Sequence, residues 1–262
     1  MRTIVALLLI GGISGCGISA SDAETPNEQE RHAVMQSVQN RRMPNLYPVR
    51  PGEAAWAELT DHDQKVAASQ LPKEQLDALD TPHLLQAALD YPLLVDAFFF
   101  NSMDEGLQVM TSSSNAFQEL LARRDYSEVL LQKFHSLEPL SIQKRSERDA
   151  ETYLFEAVVI ETLLADEKLL HRLSASKATS ALQTALAHLA QKRELPTEYG
   201  ALSLGSSANL MVALVFRIDS TVISQHSELV RIRATKQPGS IAEIEYVAKI
   251  ATEVLNRIGA QK

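Results

Sequence analysis

Beyond about residue 45, apolar positions recur three and four apart, the spacing of one helix face, and short polar or proline-containing breaks divide them into units. Each unit opens on a start signal. Thr60-Asp61-His62-Asp63 is a capping-box-like opening, Pro72 stands at a first helical turn ahead of Glu74 to Leu79, and Thr81-Pro82 caps a unit running to Tyr91. Pro92 separates that unit from the run Leu93 to Phe100. Asp104 begins the next helix, Ser114 caps Asn115 to Arg124, and Asp125 caps Tyr126 to Ser136. Helices this short, with breaks this brief, predict an irregular multi-helix bundle or a short α-solenoid.

Later units are longer. Ser146-x-x-Asp149 opens a helix through Tyr153, Phe155, Val158, Val159 and Leu163, and the stretch from Ser174 to Glu194 places Leu182, Ala185, Leu186 and Leu189 at helical spacing. Gly200 and Gly205 mark a loop before a nearly all-apolar helix from Ala208 to Ile218. Ser240-x-x-Glu243 is a capping box for a final helix whose stripe is Ile244, Val247, Ile250, Ala251 and Val254, with Gly259 as its stop. Only Leu229 to Arg233 alternates like a strand, and it reads either as an isolated extended segment or as part of a helix. The expected fold class is therefore all-α, short helices followed by longer ones. Residues 46–262 read as a single domain, and a basic, polar stretch at 139–146 is where two subdomains would meet.

The N-terminus follows another pattern. Met1-Arg2-Thr3 is a short positive start, Ile4 to Ile10 is apolar, and Gly11 to Gly15 is small-residue material, which is the layout of a secretory signal over residues 1–15. Ile13-Ser14-Gly15-Cys16 is similar to the lipobox of bacterial lipoproteins. That resemblance implies cleavage before Cys16, a thioether-linked diacylglycerol on its sulfur and, in most Gram-negative bacteria, an amide-linked third acyl chain. Several chains are needed, because one fatty chain gives only marginal binding of roughly 10⁴ M⁻¹. Gly17 stands where enteric-type lipoproteins retained at the inner membrane carry Asp, so the resemblance favours the outer membrane if the host has one. An uncleaved span from Thr3 to Ala20 is uncharged throughout, but its glycines at 11, 12, 15 and 17 weaken a helix crossing lipid. Residues 16–45 turn polar and read as a flexible tether with one weakly amphipathic run, Glu30 to Arg42.

Composition narrows the partners. With 45% hydrophobic residues in 262, the chain has material for a large core and is not disordered throughout. A net charge of -8 and the lack of a basic stripe with interleaved aromatics argue against nucleic acid. Cys16 is the only cysteine, which excludes an internal disulfide and a thiolate metal cluster within this sequence. The seven histidines include no pair at metal-binding helical spacing, so neither metal nor cofactor is expected. His62, between Asp61 and Asp63, reads as part of a helix start.

Trp56-x-x-Leu59, Tyr91-Pro92-Leu93-Leu94, Asn101-x-x-x-Glu105-Gly106 and Glu119-Leu120-Leu121-x-Arg123-x-Asp125 lie within Trp56 to Phe134. That segment resembles a helical region of uncharacterised secreted and surface proteins of several bacterial groups. It departs from them at Asn115-Ala116, where Asn-Gly is common. The resemblance implies an exported all-α fold and assigns no activity.

Three groups of residues are candidates for chemistry. Ser203, Asp219 and His226 have the chain order of an α/β-hydrolase triad, but the local pattern is Gly-x-x-Ser-x-Gly with no preceding strand, so Ser206-Ser207 is read as the cap of the apolar helix. Glu156 and Glu161 could serve a lytic transglycosylase-like enzyme, which needs a cleft acid of raised pKa. Their separation, however, turns them about 140° apart on a helix. If the helix continues, Glu161 aligns with Lys168 and Arg172 as a solvated charge stripe. Phe98, Phe99 and Phe100 cannot all face one core, which makes them a candidate interaction groove with Asn101 and Glu105 as its nearest polar groups. The expectation is a lipid-anchored binding or scaffolding module whose partners are the membrane, through Cys16, and an envelope protein. The alternative is a cell-wall-directed hydrolase, which would require Glu161 buried in a cleft beside a second carboxylate.

Overall fold

The structure, a computed structural model, describes residues 46–260. The signal, Cys16 and the tether lie outside them. The described chain is all-α, with no strand among the described residues.

The first half is a succession of short helices: α1 (Ala54–Ala57), α2 (His62–Ala68), α3 (Lys73–Ala78), α4 (Thr81–Leu89), α5 (Met103–Ser113), α6 (Asn115–Ala122) and α7 (Tyr126–His135). Side-chain caps set most of these starts: Asp61 accepts from the Gln64 N–H, Asp80 from His83, Ser102 from Glu105 and Ser114 from Phe117. Asp125 precedes α7 without capping it, because its carboxylate accepts the Thr81 hydroxyl at 2.7 Å and so ties α7 to the start of α4. A 3₁₀ segment, Leu94–Phe99, follows Pro92, and another, Pro139–Lys144, leads into the longer helices.

Those are α8 (Glu147–Leu164), the short α9 (Glu167–Arg172), α10 (Ala175–Arg193), α11 (Ala201–Ile218), α12 (Ser227–Thr235) and α13 (Ile241–Gly259), with a 3₁₀ turn at Ser220–Gln225. Ser146, Asp166, Ser174 and Ser240 cap four of them. The buried stripe of α13 consists of Ile244, Val247, Ile250, Ala251 and Val254, as its spacing predicts. Leu229 to Arg233 is helical within α12, where Leu229 and Ile232 are its buried residues. Gly205 lies inside α11 rather than in a loop. Glycine weakens a helix interior by roughly 1 kcal/mol, which the extensive burial of α11 outweighs.

Helix α11 is the centre. It packs against α8, α10 and α13 and also meets α9 and α12. Among the described residues it is the one helix long and apolar enough to cross a membrane, yet 67% of it is buried within the protein. Buried apolar side chains from Tyr47 to Val254 form one cluster that includes both the short and the long helices.

Two close fits join the short helices. The Asn115 side chain accepts from the Leu71 N–H at 3.0 Å and donates to the Leu71 carbonyl at 2.8 Å, as a paired strand would. Helix α5 passes so near the 3₁₀ segment that a Cβ on Gly106 would lie 2.1 Å from the Ala97 carbonyl oxygen. Gly106→Ala should therefore destabilise the fold by about 2 kcal/mol or more. An ordinary helix interior would gain about 1 kcal/mol from the same change. Urea denaturation reads the sign directly.

Candidate functional site

A buried ionic cluster lies where α8, α10 and α11 meet. Glu161, in the last turn of α8, is 1% exposed, and Lys192, near the end of α10, is 2% exposed. The Lys192 ammonium donates to Glu161 Oε1 at 2.8 Å, to Ser207 Oγ at 2.8 Å and to the Ser203 carbonyl at 3.4 Å. Ser206 Oγ donates to Glu161 Oε2 at 2.5 Å, and Ser207 Oγ lies 2.9 Å from Oε1. The serines sit three and four residues beyond Ser203, so one face of α11 delivers all these groups. The Tyr199 ring covers the ammonium, its centroid 5.7 Å from Nζ, and the Tyr199 hydroxyl donates to the Pro139 carbonyl at 2.8 Å. Burial raises the pKa of Tyr199, and that of nearby Tyr153 to about 12, so both phenols stay neutral.

This overturns two expectations. Ser206 and Ser207 are mid-helix ligands of a carboxylate and do not cap α11, whose first residue is Ala201. Glu161 is not on a solvated stripe, because α8 stops at Leu164 and Asp166 caps a separate α9, leaving Lys168 and Arg172 exposed elsewhere. Its burial is beside a lysine, while Glu156 is half-buried in the same helix.

A lysine touching a serine hydroxyl can activate a nucleophile. Here Nζ is within hydrogen-bond distance of three acceptors, one of them the Glu161 carboxylate, and the whole group is closed off from solvent. The cluster organises the core. A signal for it exists in the sequence: Ser203-x-x-Ser206-Ser207 is a polar face on an apolar helix, and Glu161 follows the apolar run Ala157 to Ile160.

The other sequence candidates separate. Ser203 and Asp219 lie at opposite ends of α11, about 24 Å apart at 1.5 Å per residue. Asp219 pairs with Arg257 at 2.7 Å and accepts the Thr221 hydroxyl at 2.6 Å, while His226 Nδ1 is 2.6 Å from the Tyr246 hydroxyl. No triad forms from them. Phe98, Phe99 and Phe100 are all half-buried at the end of a 3₁₀ segment, whose three residues per turn point successive side chains in different directions. Phe98 packs on Phe155 with ring centroids 4.9 Å apart. Asn101 donates to Glu105 at 3.2 Å, and its carbonyl accepts from Gln237 at 3.1 Å. His62 opens α2 and lies 3.9 Å from Asp96. Among the described residues no group of His, Cys, Asp or Glu is placed to hold a metal ion.

A cleft of about 60 Å³ opens where α9, α11 and α12 meet, and the sequence reading missed it. Helix α11 lines it with Asn209, Ala213, Phe216 and Arg217, a single face at helical spacing; Glu167, Leu170 and His171 come from α9. Arg233 of α12 and Lys236 just beyond it complete the rim. Arg217 donates to the Leu170 carbonyl at 3.0 Å and to the Leu173 carbonyl at 2.6 Å. Arg233 pairs with Glu167, and its guanidinium lies 4.4 Å from the Phe216 ring centroid. The hydrogen bonds and charge of Arg233 hold the Glu167 carboxyl below its ordinary pKa.

Lys192→Met, which strands Glu161 in the core, should destabilise the protein by about 3–5 kcal/mol. Glu161→Leu combined with Lys192→Met should recover most of that loss. Denaturant titration of the two variants checks both statements. Compared with known families, curated proteins and solved structures, the chain matches no family model, no curated protein and no solved structure.

Proposed function

We propose that the protein is an exported helical lipoprotein that binds or scaffolds another component of the bacterial cell envelope. The observation that carries this reading is the apolar run Ile4 to Ile10 followed by Ile13-Ser14-Gly15-Cys16, the sequence's single thiol in lipobox position. Two or three acyl chains on Cys16, at about 0.8 kcal/mol per buried CH₂, make a durable anchor. The polar residues 16–45 would then act as a tether reaching at most about 100 Å. Gly17 favours the outer membrane in a Gram-negative host.

The helical body supports a role in binding. Its most reactive-looking constellation, Lys192 with Ser207, is sealed from solvent and neutralised by Glu161. That arrangement weighs against the cell-wall-directed hydrolase, for which Glu161 would have to face substrate.

Labelling cells with an alkyne fatty acid, with membrane fractionation and in-cell crosslinking, compares the native protein with Cys16→Ser. Label, membrane association and a discrete crosslinked envelope protein should all be present in the native form and lost in the variant. Equal fractionation of both forms without label would overturn the anchor. Turnover of purified peptidoglycan by the native protein would favour the hydrolase.

A further inference from the structure

Two residues set the cleft between α9, α11 and α12 apart from the rest of the surface. Asn209 is 6% exposed and lines the cleft from α11. Lys236, with φ 58° and ψ 19°, is the one non-glycine residue at positive φ among the described residues. Glycine or asparagine is the usual occupant of a helix-terminating position in this conformation. The Lys236 ammonium lines the same cleft and makes no hydrogen bond or ion pair among the described residues. Strained backbone and unpaired polar groups concentrate at ligand sites, where a bound molecule supplies the missing interactions.

Charge identifies the chemistry. Arg217, Arg233 and Lys236 face the cleft against a single carboxylate, Glu167, an excess of two positive charges in a chain whose net charge is -8. The two guanidinium groups are already oriented, Arg217 by two carbonyls and Arg233 by Glu167 and the Phe216 ring. Each guanidinium still has donors to spare of its five. Pre-oriented forks of this kind recognise oxyanions. A phosphate monoester carries a charge of about -1.5 to -2 near neutrality, which matches the excess, whereas a carboxylate would leave one cation uncompensated. At about 60 Å³, against roughly 10–15 Å³ of such space for one water, the cleft has room for the phosphoryl group itself. Phe216 and Leu170 then offer apolar surface to the organic substituent.

We propose that this cleft binds the phosphoryl group of a small phosphate monoester, with Asn209 at its floor and Arg217, Arg233 and Lys236 around its oxygens. The proposal is independent of the lipid anchor. The monoester could be a soluble metabolite or the headgroup of a lipid such as phosphatidate, and the two sources share this chemistry.

The test is calorimetric titration of the full chain in neutral detergent with phenyl phosphate and with benzoate. It is repeated for Asn209→Leu, Lys236→Gly and Cys16→Ser. Phenyl phosphate should bind at least about tenfold more tightly than benzoate, and each cleft variant should weaken it by about tenfold or more. Lys236→Gly should melt at or above the native temperature without ligand, since it relieves the positive φ. Cys16→Ser should bind as the native protein does, which separates this result from the fate of the anchor. Competition by micelles doped with phosphatidate, and not by phosphatidylcholine, would assign the lipid source; its absence would assign the soluble one. No measurable binding of phenyl phosphate, or binding unchanged in both cleft variants, would overturn the proposal.

Discussion

The architecture depends on keeping one carboxylate and one ammonium together where water cannot reach them. Removing two charges from water carries a penalty of several kcal/mol per ion, and Glu161 and Lys192 offset it through each other and through the two serines of α11. The gain over a well-packed apolar replacement is small. What the pair adds is orientation, because separating α8 from α10, or rotating α11, would strand a charge in the core. Tyr199 covers the ammonium and reaches the Pro139 carbonyl, so the 3₁₀ segment that follows the short helices is drawn toward the same point.

The short helices are held by different means. None of α1 to α7 is long enough for intrinsic helix stability in water, so each relies on its neighbours, and α2, α4, α5 and α6 also on a side-chain cap. The Asn115 amide imitates a strand partner for Leu71, Asp125 gives up capping α7 to hold Thr81, and Gly106 permits a backbone approach that no side chain would allow. These contacts are specific to position, and small changes of residue type at them matter more than hydrophobicity does.

Much of the helical fold was legible in the sequence. Ser114, Ser146 and Ser240 start their helices as the sequence predicts, and the α13 stripe is the one that 3.6-residue spacing predicts. Leu229 to Arg233 is open in the sequence between an extended segment and a helix, and packing of Leu229 and Ile232 settles it as helix. The failures have physical causes. Glu161 was read with Lys168 because the break at Ala165-Asp166 lacks glycine and proline, and its partner Lys192 is 31 residues away. Local spacing cannot report a pairing between helices. The cleft was illegible for the same reason: Asn209, Arg233 and Lys236 come together only once α11 and α12 are packed. The Phe98 to Phe100 run was rightly recognised as unable to face a single direction.

Helix α11 also bears on how the chain reaches its native state. It has the composition of a membrane span, and one of its faces is covered by α13, which is made after it. While synthesis proceeds, Glu161 and Lys192 are already available to claim the serine face, but the opposite apolar surface must wait for the last helix to emerge. For that interval α11 is, among the described residues, the helix with the longest apolar surface open to a chaperone or a lipid surface. The order in which helices appear thus makes α13 the closing element of assembly, the piece that turns an adhesive intermediate into an inert folded body.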